Sequence, residues 1–166
     1  MKQNFIDETL VNFHKQSILN CYLGDMERAE TTERQGFYEM EHKEDDWNYR
    51  DSFTGFYVST GQEIIRFKKQ PVWFCNYGGG LIEEYWGDKD FFKELESFLQ
   101  ICLREGIDAD KFIPRGQDSH NSDDWGYKCN WEGDISNFSG LEEISYKDKV
   151  VFSHRFFGGK IIGKNS

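Results

Sequence analysis

Two stretches of this chain are versions of one another, and that repetition limits the possible folds more than any other feature. Residues 45–82 read DDWNYRDSFTGFYVSTGQEIIRFKKQPVWFCNYGGGLI, and residues 123–162 read DDWGYKCNWEGDISNFSGLEEISYKDKVVFSHRFFGGKII. The offset is 78 as far as Gly55/Gly133 and 79 beyond, so one residue is inserted in the intervening turn. Trp47/Trp125, Tyr49/Tyr127, Gly61/Gly140, Glu63/Glu142, Ile65/Ile144 and Gly80/Gly159 are among the identical pairs, which make up about a third of the aligned positions. A unit that appears twice implies tandem duplication and a pseudo-two-fold axis relating the copies.

Within each copy the side chains alternate with period two, the mark of a half-buried strand. Trp47, Tyr49, Asp51 and Phe53 share one phase, as do Trp125, Tyr127, Cys129 and Trp131. Gly55 and Gly133 predict turns, and Thr60-Gly61 and Ser139-Gly140 predict further turns. The following strands run through Ile65 and Phe67 and from Val72 to Tyr77, with counterparts through Tyr146 and from Val150 to Phe156. The glycines after each last strand predict a sharp bend that ends the meander.

A helix is predicted before each meander. Over 89–105, Phe91, Phe92, Leu95, Phe98, Leu99, Cys102 and Leu103 recur at helical spacing, with Asp88 or Asp90 as N-cap and Gly106 as the stop. The N-terminal helix, through Leu10, Phe13, Ile18 and Tyr22, ends at Gly24. Residues 25–44 and 107–122 read as long polar connections, where a site is most readily housed. The expectation is one α+β domain spanning residues 1–166. It consists of two α-ββββ units, approximately 1–84 and 85–166, whose strands share an antiparallel sheet with two helices against it.

The balance of 30 acidic against 20 basic residues gives a formal net charge of −10. That sign opposes binding to nucleic acid or an anionic membrane. No apolar run is long enough to span a bilayer, and the N-terminus carries no apolar leader segment. Cys21, Cys75, Cys102 and Cys129 lie far apart without the paired spacing of a zinc site, so they read as buried free thiols in a cytoplasmic protein. No metal or cofactor is expected.

No motif here specifies a reaction, and the expectation leans away from an enzyme. Gly78-Gly79-Gly80 lacks the following helix and lysine of a phosphate loop. The acidic run Glu39, Glu41, Glu44, Asp45 and Asp46 reads as a solvated loop, and His120, Asp123 and Asp124 as ordinary loop chemistry. Cys75 and His154 occupy matched positions in the phase of the core aromatics. Glu63 and Glu142 are matched carboxylates that would approach one another near a pseudo-two-fold axis. Asn76, Tyr77, Arg115 and Arg155 are polar or amphipathic groups near strand ends or loops, placed to line a cleft between the halves.

Tyr49-x-Asp51, Gly61-x-Glu63, Pro71-Val72-Trp73, Asn76-Tyr77-x-Gly79, Gly140-x-Glu142-Glu143-Ile144 and Gly158-Gly159 together resemble a bacterial family of domains of unknown function. The resemblance covers nearly the whole chain and implies a domain sometimes fused behind a helix-turn-helix regulator. It carries over no catalytic residue. Cys75 stands where that pattern has methionine, and Phe157 where it has histidine.

The leading expectation is therefore a cytoplasmic, non-catalytic domain that binds a small molecule or a protein, with Glu63, Asn76, Tyr77, Arg115, Glu142 and Arg155 as its candidate contacts. An acidic immunity-like protein that masks a basic partner is the alternative. An enzyme using the matched carboxylates is a third class, and it requires those groups to share one cleft.

Overall fold

A computed structural model of the chain describes residues 2–24, 28–109 and 111–164, the side chains of 2–6 excepted. Helix α1 (Lys2–Asn20) precedes strands β1 (Tyr38–Glu44), β2 (Trp47–Gly55), β3 (Val58–Phe67) and β4 (Gln70–Leu81). A 3-10 turn, Glu83–Tyr85, leads into α2 (Lys89–Ile107), followed by β5 (Ser119–Ser122), β6 (Trp125–Asp134), β7 (Asn137–Tyr146) and β8 (Lys149–Lys160). The strands form one antiparallel sheet in the order β1-β2-β3-β4-β8-β7-β6-β5, so the fold is α+β. Each meander pairs through its last strand with the other, from Trp73 opposite Lys160 to Leu81 opposite Phe152.

Short hairpins hold the registers. Asp45 and Asp123 turn β1 into β2 and β5 into β6, with φ of 50° and 51°. Lys68-Lys69 and Lys147-Asp148 turn β3 into β4 and β7 into β8, all with φ between 49° and 67°. One register shift falls between Ile65 and Arg66, another between Ile144 and Ser145. Such irregularities bend a strand and raise its local twist.

One sheet face carries the alternating large side chains and both helices. Phe13 and His14 of α1 reach the rings of Trp47 and Trp73, while Phe91 and Phe98 of α2 reach Trp125. Tyr49, Ile65, Trp73, Ile144, Val151 and Phe156 are buried beneath them. Each large ring moved out of water contributes roughly 2 kcal/mol or more. Asp88 caps α2 by accepting from the Phe91 N–H at 3.0 Å. Cys21, Cys75, Cys102 and Cys129 are buried and lie outside any disulfide. Neither helix is long and apolar enough to cross a membrane.

Several local expectations change. The predicted connections 25–44 and 107–122 contain β1 and β5, short edge strands whose polar composition hides their pairing. Glu39 and Glu41 are not solvated: Glu39 is buried and accepts from Arg50 Nη1 at 2.5 Å, and Glu41 accepts from Arg50 Nη2 at 2.9 Å. Thr60-Gly61 and Ser139-Gly140 run straight through β3 and β7. Gly61 is small because the Tyr77 ring lies over it: a Cβ there would stand 2.3 Å from the Tyr77 hydroxyl. The glycines at 78–80 do not end β4, which continues to Leu81. Gly80 has φ of 151°, and an added Cβ would stand 2.1 Å from the Tyr57 carbonyl oxygen.

Replacing Gly80 by alanine therefore combines backbone strain with a clash against main chain. It should cost about 3 kcal/mol, measured by urea denaturation, whereas Gly87→Ala, which meets nothing within 4 Å, should cost less.

Candidate functional site

Between the helices and the sheet lies a cavity of about 390 Å3. Its walls are largely apolar: Ile18 comes from α1 and Tyr22 from the turn that follows it, Leu95, Leu99 and Leu103 from α2, and Phe53 and Phe152 from the sheet. Its floor is polar, because the inward phase of the central strands delivers Asp51, Ser59, Glu63, Tyr77 and His154 to the same place.

The strand register explains the floor. Asp51 of β2 lies directly opposite Glu63 of β3, a pairing that sets Cβ atoms about 5 Å apart on one face. Gly61, two residues before Glu63, leaves room for the Tyr77 side chain to cross β3 and donate its hydroxyl to Asp51, at 3.0 and 3.1 Å to the two carboxylate oxygens. His14 of α1 closes the site from above, with Nε2 3.3 Å from Glu63 Oε2.

Arg115 enters from the loop between α2 and β5. Two glycines admit that loop: a Cβ on Gly106 would stand 2.4 Å from the Arg115 carbonyl oxygen, and one on Gly116 would meet the Tyr127 hydroxyl at 2.6 Å. Gly106 thus lies within α2 rather than ending it, and its smallness seats the loop. Arg115 donates from Nε and Nη2 to Glu142 Oε1 at 3.0 and 2.7 Å, and its Nη1 lies 3.9 Å from Glu63 Oε1. The Tyr127 hydroxyl donates to Glu142 Oε2 at 2.9 Å and accepts from the Gly116 N–H at 3.0 Å. His154 places Nδ1 3.5 Å from Glu142 Oε1 and Nε2 3.4 Å from Ser59 Oγ.

The two kinds of carboxyl respond differently to this setting. Burial pushes Asp51 well above the ordinary 3.8, and the neighbouring charge of Glu63 pushes it further; the Tyr77 hydrogen bond and the more distant Arg115 offset only part of that. Burial acts on Glu142 in the same sense. There the Arg115 guanidinium, its hydrogen bonds and the close approach of His154 outweigh it and hold the carboxyl low, at about 2. The Cys75 thiol is pushed up by burial and by Glu63, which removes its nucleophilic form at neutral pH.

Of the residues singled out from sequence, Glu63, Tyr77 and Arg115 come together at this floor with His154 beside them, and Glu142 lies buried just behind, bound to Arg115. Asn76 and Arg155 do not join the cluster: Asn76 accepts from the Gln62 amide at 2.8 Å, and Arg155 is exposed on β8. Cys75 and His154 do not meet either. Cys75 lies opposite Gly158 and His154 opposite Gly79, four positions apart on β4, about 13 Å along a strand. His120 pairs with Glu105 at 2.9 Å, away from Asp123 and Asp124. Sequence reasoning passed over Asp51, Ser59 and His14 as site residues. Asp51 did leave a signal, as the one charged residue in the inward phase of Trp47, Tyr49 and Phe53. His14 and Ser59 left none.

An eight-stranded antiparallel sheet with two helices on one face, and an apolar-walled cavity between them, makes this an α+β domain. The chain belongs to a family of domains of unknown function, DUF5680, whose pattern matches residues 51–161. No curated protein and no solved structure matches it.

The opposed shifts of Asp51 and Glu142 give opposed stability effects. A carboxyl raised in the folded state stabilises below its unfolded value of 3.8 and loses that contribution as pH rises through its folded value. Asp51→Asn should therefore stabilise the free protein at pH 7, by about 1 kcal/mol, with the gain fading toward pH 3. A carboxyl lowered in the folded state stabilises above its unfolded value of 4.5 and loses that contribution as pH falls toward about 2. Glu142→Gln should therefore destabilise at pH 7, by about 3 kcal/mol, and less at pH 3. Urea denaturation at both pH values measures each sign.

Proposed function

We propose that this chain is a small-molecule-binding domain and that the cavity between the helices and the sheet is its ligand site. The observation that carries this reading is the 390 Å3 space itself, walled by apolar side chains and floored by converging ionisable groups. Ligand sites have this construction: a largely apolar concavity of roughly 300–1,000 Å3 with a few placed polar groups. A buried carboxyl raised as far as Asp51 is a cost to the folded state, and groups perturbed in this way concentrate at functional sites.

The scaffold reads as a duplicated α-ββββ unit with a pseudo-two-fold axis. Matched positive-φ hairpin residues and matched register shifts at Ile65 and Ile144 support that history. The copies differ at the floor: Asp51, Tyr77 and Cys75 stand where the second copy has Cys129, Phe156 and His154. That asymmetry suits a site specialised for one ligand orientation. A bacterial, cytoplasmic sensor module, of the kind joined to a helix-turn-helix regulator, fits the reading.

The test is binding of the neutral solvatochromic dye Nile red, followed by fluorescence. Micromolar, saturable binding is expected, and Ile18→Trp, which fills the cavity from α1, should weaken it about tenfold or more. A dye response unchanged by that substitution would sink the reading.

An enzyme is the second reading, and one observation favours it: Ser59 and His154 line the cavity 3.4 Å apart, with the buried Glu142 behind His154 at 3.5 Å, the order of nucleophile, base and orienting acid. It predicts hydrolysis of p-nitrophenyl butyrate above the buffer rate, abolished by Ser59→Ala. Turnover that survives Ser59→Ala removes it.

A further inference from the structure

The geometry points to an organic ammonium ion as the ligand: an amine on an apolar body, with its cationic head between Asp51 and Glu63. This deepens the reading of the cavity as a ligand site and rests on it.

The first support is the balance of fixed charge. Three buried carboxylates, Asp51, Glu63 and Glu142, gather at or just behind the floor. Arg115 is the permanent cation among them, and it is bound to Glu142 through two nitrogens. Its remaining amino group faces Glu63 at 3.9 Å. The guanidinium is thus bracketed by carboxylates and turned away from the role of an anion receptor. A carboxylate or phosphate ligand would have to displace Glu142, which is wholly buried and also holds Tyr127.

Asp51 is the opposite case. It is 5% exposed, and among the described residues its hydrogen-bond donor is the Tyr77 hydroxyl. A carboxylate has room for about four donors, so Asp51 keeps capacity for a ligand N–H. The directly opposite position of Glu63, whose oxygens also meet His14 Nε2 at 3.3 Å and Arg115 Nη1 at 3.9 Å, brings a second carboxylate to the same head. Burial and the charge of Glu63 together push the Asp51 carboxyl up, and a cation between the two relieves both effects at once.

The surroundings favour an organic cation over a metal ion. Tyr22, Tyr49, Tyr77 and Phe53 line the chamber, and aromatic faces attract ammonium and guanidinium groups. Tyr77 already does so for Arg115, whose guanidinium carbon lies 5.5 Å from the ring centroid. Calcium takes six to eight oxygen ligands and magnesium a near-ideal octahedron, more than two carboxylates and a phenol supply. At the rim, Lys15 donates to the Ala109 carbonyl and Arg28 lies over the Tyr38 ring, so neither is directed at the floor. Glu96 adds a further acid to the lining, and the net charge of −10 draws cations toward the molecule.

The experiment is calorimetric titration of the full chain at pH 7 with three ligands of one aryl-alkyl body: 4-phenylbutylamine, 4-phenyl-1-butanol and 4-phenylbutyrate. The amine should bind about tenfold or more tightly than the alcohol, and the carboxylate most weakly. Asp51→Asn and Glu63→Gln should each weaken the amine by about tenfold and leave the alcohol within about twofold. Equal affinity for amine and alcohol, or a preference for the carboxylate, overturns the cation assignment while the cavity remains a ligand site. An amine preference that survives both substitutions places the head elsewhere and overturns it as well. If none of the three binds while Nile red does, the cation assignment falls alone. If Nile red also fails, the ligand-site reading falls with it.

Discussion

The pairing of β4 with β8 is the interaction on which the rest of this molecule depends. Each meander by itself would present its last strand as an open edge, with unpaired amides along its length. Joining those edges from Trp73/Lys160 to Leu81/Phe152 removes both and makes one eight-stranded sheet. The join needs close main-chain approach: a Cβ on Gly79 would stand 2.1 Å from the Ser153 carbonyl oxygen, and one on Gly158 2.2 Å from that of Phe74. Glycine at the seam is a condition of the sheet, and the sheet is a condition of the cavity.

Both helices lie on one face of that sheet, and the space they leave between them is where polar side chains collect. The core is not uniformly apolar. Glu142 is fully buried, yet it is satisfied by Arg115 and Tyr127 and approached by His154. Removing any one partner would strand buried charge, which is the costly event for such networks. The loop that carries Arg115 is tied to the sheet by this pair and seated on α2 by Gly106. A loop without regular structure is thereby made part of the chamber wall.

Asp51 differs because, among the described residues, it has a partner hydroxyl and no ion-paired cation. Glu142 and Asp51 sit in comparable burial, and the guanidinium beside one of them separates their behaviour. The fully bonded ion pair of Arg115 and Glu142 next to Asp51 fixes the local geometry.

Much of the scaffold was determined locally and so was legible in the chain. Period-two alternation places Tyr49, Tyr127, Ile65 and Ile144 inward, helical spacing finds α2, and Asp88 caps it. The repeated motifs predict two similar runs of strands. Glu63, Tyr77, Arg115 and Glu142 were legible as candidates because charged or amphipathic residues in those positions are unusual. Other features were decided only by tertiary structure. The edge strands β1 and β5 have no apolar phase to reveal them, and Glu39 becomes buried only when Arg50 reaches it. Gly61, Gly80 and Gly106 read as turn, bend and stop, because sequence shows that a residue is small and not what approaches it. The meeting of Asp51 with Glu63, of Arg115 with Glu142, and of His14 with Glu63 depends on cross-strand register and on a helix laid over it. Those contacts join residues distant in sequence, and local pattern holds no record of them.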